Sequence, residues 1–210
     1  YLENDYLTIE NNTITDNDNY GIECYRYNDG LTIENNTITD HNSRGIYFDE
    51  HNRYVTIENN TITDNGDYGI YLHYQNWNAT IQNNTIAEHT NTGIHFNNQN
   101  NGDIIGNLIY DNGNRGLYLN NIYYNDCQVR NNTIDGHAGY GLYWYSDNES
   151  YYKLEALNNS ITNNETGIYC SNGGSNNTIS YNNCWNNSSS NYDGNLPSGA
   201  GNLTDINANG

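Results

Sequence analysis

LTIENNTITD occupies residues 7–16, recurs unchanged at 31–40, and is followed by VTIENNTITD at 55–64. Weaker copies continue down the chain as ATIQNNTIAE (79–88), GDIIGNLIYD (102–111), CQVRNNTIDG (127–136), LEALNNSITN (154–163) and TISYNNCWNN (178–187). One Asn marks each copy: Asn12, Asn36, Asn60, Asn84, Asn107, Asn132, Asn159 and Asn182, at steps of 24, 24, 24, 23, 25, 27 and 23 residues. A Gly followed by Ile or Leu runs in phase with it, at Gly21, Gly45, Gly69, Gly93, Gly116, Gly141 and Gly167. Two phased markers identify a repeat architecture.

Each copy holds three short runs with a period of two, the spacing of a strand with one buried face. Strand A reads Gly-Ile-Tyr-Leu, strand B Leu-Thr-Ile-Glu and strand C Thr-Ile-Thr. Three strands and three turns in about 24 residues make one coil of an all-β solenoid. Stacked at about 4.8 Å, eight coils rise roughly 38 Å. The pattern resembles the right-handed parallel β-helix family with pectate-lyase-like repeats. That resemblance implies three strands per coil and a place among secreted and surface proteins, some of which cleave polysaccharide. Coils are expected over 1–187, with an Asn/Gly/Ser-rich segment at 188–210, including Pro197, covering the last one.

Alternation places Ile22, Ile46 and Ile70 inward on strand A, with Cys24, Phe48 and Leu72 two residues on. Ile33 and Ile57 point inward on strand B, and Ile38 and Ile62 on strand C. A core this narrow explains how 210 residues fold with 34% hydrophobic content and a net charge of -19. With one Lys and 25 acidic residues, the chain has no electrostatic grip on nucleic-acid phosphates. No apolar run reaches 18 residues, so no membrane-spanning helix is expected. The chain opens mid-element at Tyr1, so that end is expected to be covered by upstream coils or by a second copy stacked end to end.

The 47 asparagines have a physical reason. Tight turns need left-handed backbone, which Asn tolerates best after Gly, and stacked amides can form a ladder. That structural role is assigned to Asn12, Asn36, Asn60, Asn84, Asn107, Asn132 and Asn159. The repeated turn also generates Asn-x-Ser/Thr acceptors, among them Asn11, Asn35, Asn59, Asn83 and Asn131, so these are glycosylation candidates.

Other candidates stand beside plainer readings. Asp16, Asp40, Asp64, Glu88 and Asp111 form an acidic row, where hard oxygens one coil apart suit Ca²⁺ or serve as solvated turn residues. The outward Thr13, Thr15, Thr37, Thr39, Thr61 and Thr63 resemble an ice-binding array, which Leu108 and Tyr110 interrupt. Cys170 and Cys184 are the one pair near enough for a disulfide; buried free thiols are the alternative. The outer face of strand A carries Tyr47, Tyr71, His95, Tyr118, Tyr143 and Tyr169, an aromatic stripe suited to stacking sugar rings or a partner. Glu23 and Asp49 lie on that face roughly 8 Å apart, within the range of inverting glycosidases. The resulting expectation is an extracellular or cell-surface scaffold, non-catalytic, used in assembly, adhesion or carbohydrate contact. The alternative is a polysaccharide hydrolase or lyase working on strand A's outer face.

Overall fold

The computed structural model describes residues 6–98, 101–122, 127–146, 153–171, 177–196 and the backbone of 203–204. Three parallel sheets wind around one axis, and each strand pairs with its counterpart one coil away. Sheet B runs from Thr8–Glu10, Thr32–Glu34 and Thr56–Glu58 to Thr178–Ser180. Sheet C runs from Thr13–Thr15, Thr37–Thr39 and Thr61–Thr63 to Asn183–Trp185. Sheet A comprises Tyr20–Arg26, Arg44–Glu50, Ile70–Tyr74, Thr92–Asn97, Arg115–Asn120, Tyr140–Tyr145, Thr166–Cys170 and Ser190–Gly194. Register is strict. Ile22 lies opposite Ile46, Ile46 opposite Ile70, and Ile70 opposite Ile94. No helix among the described residues is long and apolar enough to cross a membrane.

The regular stack extends further than the composition implied. Ser190–Gly194 still pairs in parallel with Thr166–Cys170, so the eighth coil closes, and Leu203–Thr204 adds a strand to sheet C. Composition misses this because ladder bonds are made by backbone, which Ser and Asn supply as well as Ile does. Pro197 and the first five residues lie outside the described residues. At the Tyr1 end Ile9 and Ile14 are only partly buried, whereas Ile33 and Ile38 one coil on are fully buried.

Turn roles divide between the two residues of each Asn pair. The first takes the left-handed conformation: Asn11, Asn35, Asn59, Asn83 and Asn131 have φ of 55–58°. The second is the ladder. The Asn12 amide N–H donates to Asn36 Oδ1 at 2.9 Å, Asn36 to Asn60 at 2.9 Å, and the series runs on to Asn182. Each buried Nδ2 donates as well, Asn60 Nδ2 to the Ile33 carbonyl and to Asn84 Oδ1. One side chain cannot do both jobs, because a left-handed residue turns outward at the corner.

A second ladder, at the turn from sheet C to sheet A, alternates His with Asn. The Asn17 N–H donates to His41 Nδ1 at 3.1 Å, His41 N–H to Asn65 Oδ1 at 3.2 Å, and Asn65 N–H to His89 Nδ1 at 3.1 Å. His89 N–H then donates to Asn112 Oδ1 and Asn112 N–H to His137 Nδ1, each at 3.1 Å. This ladder explains the phased glycines. A Cβ on Gly69 would lie 2.6 Å from His89 Nε2 and 2.7 Å from the Gly93 carbonyl, so no side chain fits.

All four cysteines are buried, and none is in a disulfide. Cys170 pairs across to Trp144 and Gly194 in sheet A, and Cys184 to Ile161 in sheet C. The proposed Cys170–Cys184 bridge is therefore not made. The two thiols enter the core from different walls, each filling the place of an aliphatic side chain. Burial pushes the Cys24 and Cys184 thiols up to about 12. Native protein is expected to resist thiol labelling at Cys24 and Cys127, with every cysteine reacting after unfolding. Rapid native labelling of either would refute their inward placement.

Candidate functional site

Strict register on sheet A turns sequence neighbours into continuous outer columns. The central column aligns Glu23, Tyr47, Tyr71, His95, Tyr118, Tyr143 and Tyr169. Beside it, Tyr20 is opposite Arg44, Thr92 opposite Arg115, and Tyr140 opposite Thr166. The rings touch along the axis. Centroids lie 5.7 Å apart for Tyr47–Tyr71, 4.8 Å for Tyr71–His95, 4.4 Å for His95–Tyr118 and 4.8 Å for Tyr143–Tyr169.

This packing changes what the stripe can do. Tyr71 is 9% exposed and His95 7%, and their faces are taken by neighbouring rings. The column is a wall of ring edges, not a row of open platforms. Burial drives His95 down to about 3, helped by Arg115 and Arg44, so its imidazole is neutral at ordinary pH. Burial also raises the phenols of Tyr68, Tyr71, Tyr118 and Tyr143, which stay protonated.

Two arginines are set into this wall. The Arg44 guanidinium carbon lies 4.5 Å from the Tyr47 ring centre and 4.6 Å from that of Tyr71, with Tyr20 and Tyr68 slightly farther. Arg115 sits 4.6 Å from Tyr118 and 4.9 Å from Tyr143. Such contacts are worth about 0.5–2 kcal/mol each, depending on solvent access. Among the described residues neither arginine forms an ion pair, although the chain carries 25 acidic residues. The sequence signal for this was available: the residue before the marker glycine is Tyr20, Arg44, Tyr68, Arg115 or Tyr140 on five of the coils.

A polar network borders the wall. Tyr47 Oη donates to Asp49 Oδ1 at 2.9 Å, His73 Nδ1 lies 3.3 Å from the same oxygen, and Arg26 Nε is 3.3 Å from Asp49 Oδ2. Arg26 also pairs with Glu50 at 2.5 Å. Glu23 lies opposite Tyr47, one coil and two residues from Asp49, and is exposed outside this network. The structure thus joins Asp49 to a phenol, an imidazole and a guanidinium, not to a second carboxylate.

The remaining candidates have structural surroundings. Asp16, Asp40, Asp64, Glu88 and Asp111 are all left-handed, with φ of 51–61°, one per coil at the C-to-A corner. Asp64 and Asp111 push the Glu88 carboxyl upward. Among the described residues no three His, Cys, Asp or Glu side chains converge to hold a metal ion. On sheet C the Thr15 and Thr39 hydroxyls donate to Asp16 and Asp40, each at 3.0 Å. The acceptor asparagines Asn11, Asn35, Asn59, Asn83 and Asn131 are exposed in one corner column.

The coil is similar in fold to several solved structures. The periplasmic alginate epimerase AlgG superposes with a TM-score of 0.68 at 16% identity, covering 87% of this chain and 46% of that one. The A-module of Azotobacter vinelandii mannuronan C-5 epimerase AlgE4 gives 0.58 at 17% identity, covering 94% and 55%. Pectate lyase Pel9A gives 0.55 at 15% identity, covering 83% and 50%. The chain spans about half the length of each. No curated protein sequence is significantly similar to it. The family model described as the right handed beta helix region matches residues 1–76 and 26–184. With that match over most of its length, and three parallel sheets wound as the model requires, the chain belongs to the right-handed β-helix family.

Proposed function

We propose that this chain is an exported surface β-helix that holds polysaccharide against the outer face of sheet A without transforming it. The observation that carries the reading is the tyrosine wall with Arg44 and Arg115 set into it, two guanidinium groups without ion pairs among the described residues of a strongly acidic chain. Guanidinium edges and ring-edge hydroxyls are directional hydrogen-bond donors, matched to the hydroxyls and carboxylates of a sugar polymer. The rigid coil presents them along a straight line with little entropy left to lose on binding. The neighbours by fold are named for alginate, mannuronan and pectate, and AlgG for the periplasm, which supports this ligand class and an exported location. Arg44→Gln with Arg115→Gln is expected to cut retention on immobilised polysaccharides at least tenfold at a temperature where circular dichroism shows the variant still folded. Unchanged retention would end this reading.

A second reading has its own observation. Asp49 holds Tyr47 and His73 in one network, a proton donor and an imidazole aligned by a shared carboxylate, the kind of arrangement acid–base chemistry uses. If the face is catalytic, incubation with the same polysaccharides releases reducing ends or unsaturated products, and Asp49→Asn abolishes them.

A further inference from the structure

The corner where the chain leaves sheet A carries bulky rings in backbone conformations that rings avoid. Tyr27 has φ of 56°, and three residues along the turn, in neighbouring coils, Tyr54 and Tyr6 have φ of 51° and 58°. Tyr6, Gly30 and Tyr54 are successive members of one column, shown by the bonds from Tyr6 N–H to the Asp29 carbonyl and from Gly30 N–H to the Arg53 carbonyl. Farther along the helix Asn78 takes the place of Tyr54, and His51, Gln75, Asn98 and Asn121 take that of Tyr27; Asn accepts left-handed geometry readily. A large side chain there is an outlier, and such strain concentrates at functional sites.

The rings gain no core packing in return. Tyr6 is 83% exposed, Tyr54 59% and Tyr27 52%, while Leu31 and Val55 next to them are buried. Tyr27 stacks one face on His51 at 5.2 Å and 3°, and His51 turns its edge to Trp77 at 6.2 Å and 70°. The Tyr54 ring has no ring partner among the described residues. Tyr6 lies over Gly30, where a Cβ would come within 2.7 Å of the ring, so the glycine makes the floor between two exposed tyrosines. Beneath them a buried ladder, Asn28 to Asn52 at 3.1 Å and Asn52 to Asn76 at 3.1 Å, fixes the corner. The bridges Asp29–Arg53–Trp77 fix its outer edge.

We propose that Tyr6, Tyr27 and Tyr54, with Trp77, form a carbohydrate-stacking edge that takes the apolar faces of pyranose rings, distinct from the wall on sheet A. Here each tyrosine is more than half exposed, Tyr27 with one face on His51 and the other outward, and exposed tyrosines combine an apolar body with a polar tip as a sugar ring does. Rigid backbone holds them on neighbouring columns of one corner before any ligand arrives. Tyr181, with φ of 59° and 66% exposed, sits at the other corner, in the column of Asn131 and Asn158. The ligand class rests on the polysaccharide reading above; the position of the edge does not.

Tyr54→Asn installs the residue other coils use at this kind of turn. It is expected to raise Tm by about 2 °C or more through relief of strain, while Tyr27→Asn with Tyr54→Asn lowers retention on a glycan array at least tenfold. A fall in Tm for Tyr54→Asn would show that the ring is there for stability and would overturn the proposal. So would glycan binding that survives the double substitution, or that is lost only with Arg44→Gln and Arg115→Gln, a result that would leave the sheet A reading standing. If the unmutated protein binds no member of the array, both readings fall together.

Discussion

Lowering the pH from 8 to 5 is expected to strip this β-helix of most of its stability, because its C-to-A corner is built on neutral imidazole. His41, His89 and His137 each accept a backbone N–H at Nδ1, an atom that cannot accept once protonated. Burial pushes His89 down to about 3 and His137 to about 4, and lowers His41 as well. In the unfolded chain each histidine titrates near 6.5. Above that value neither state binds the proton, and stability is independent of these groups. Below it the unfolded chain takes up protons that the folded chain refuses. Stability therefore falls by about 1.4 kcal/mol per pH unit for each histidine until the folded value is reached. His95, held at about 3, acts in the same direction. His89, His95 and His137 together give roughly 4 kcal/mol per pH unit against a typical total of about 5–15 kcal/mol, and His41 adds to this in the same direction. Chemical denaturation followed by circular dichroism at pH 8, 6.5 and 5 measures it. Replacing His41, His89 and His137 by Asn, which already fills the alternate rungs, should leave only the His95 slope, at the cost of smaller side chains in the corner. An unfolding free energy that does not change between pH 7 and 5 in the unmutated protein would contradict the buried, accepting histidines.

Asn60→Ala is expected to cost about 3 kcal/mol or more, and Asn12→Ala well under 1 kcal/mol, although the two repeats differ in one residue, Leu7 against Val55. Asn60 Oδ1 accepts from both the amide N–H and Nδ2 of Asn36, and its Nδ2 serves the Ile33 and Glu58 carbonyls. Truncation leaves these buried groups unpaired at 1% exposure, where each orphan costs about 1–3 kcal/mol. Asn12 sits at an exposed corner, keeps its backbone bond to Asn36 when truncated, and loses only its Nδ2 bonds to the Glu10 carbonyl and Asn36 Oδ1, which water replaces. Urea unfolding of both variants separates the cases. Equal losses would mean that the ladder's worth does not depend on burial.

Much of this molecule follows from its sequence alone. A period near 24, an alternation of two and a glycine in phase admit one kind of solution, because three short strands per coil can bury their apolar residues only by stacking on their own copies. The inward cysteines, the phenylalanines and Trp144 follow from the same count, and so does an asparagine ladder as a class of structure. What the sequence could not divide was labour within a turn. Asn11 and Asn12 are the same letter, yet one bends the chain and the other is buried beneath it, since backbone dihedral and side-chain direction are settled together at a corner. His41 and Asn65 are different letters with one role, which shows only when their acceptor atoms line up along the axis. The outer face of sheet A reads as a tyrosine stripe, an apparent platform for sugars. Tertiary spacing of about 4.8 Å is narrower than an open ring needs, so the rings close on one another and on Arg44 and Arg115. Exposed rings survive where the turn carries Tyr27 and Tyr54 out from the coil, a place determined by the path of the chain through the corner and not by the pattern of its letters.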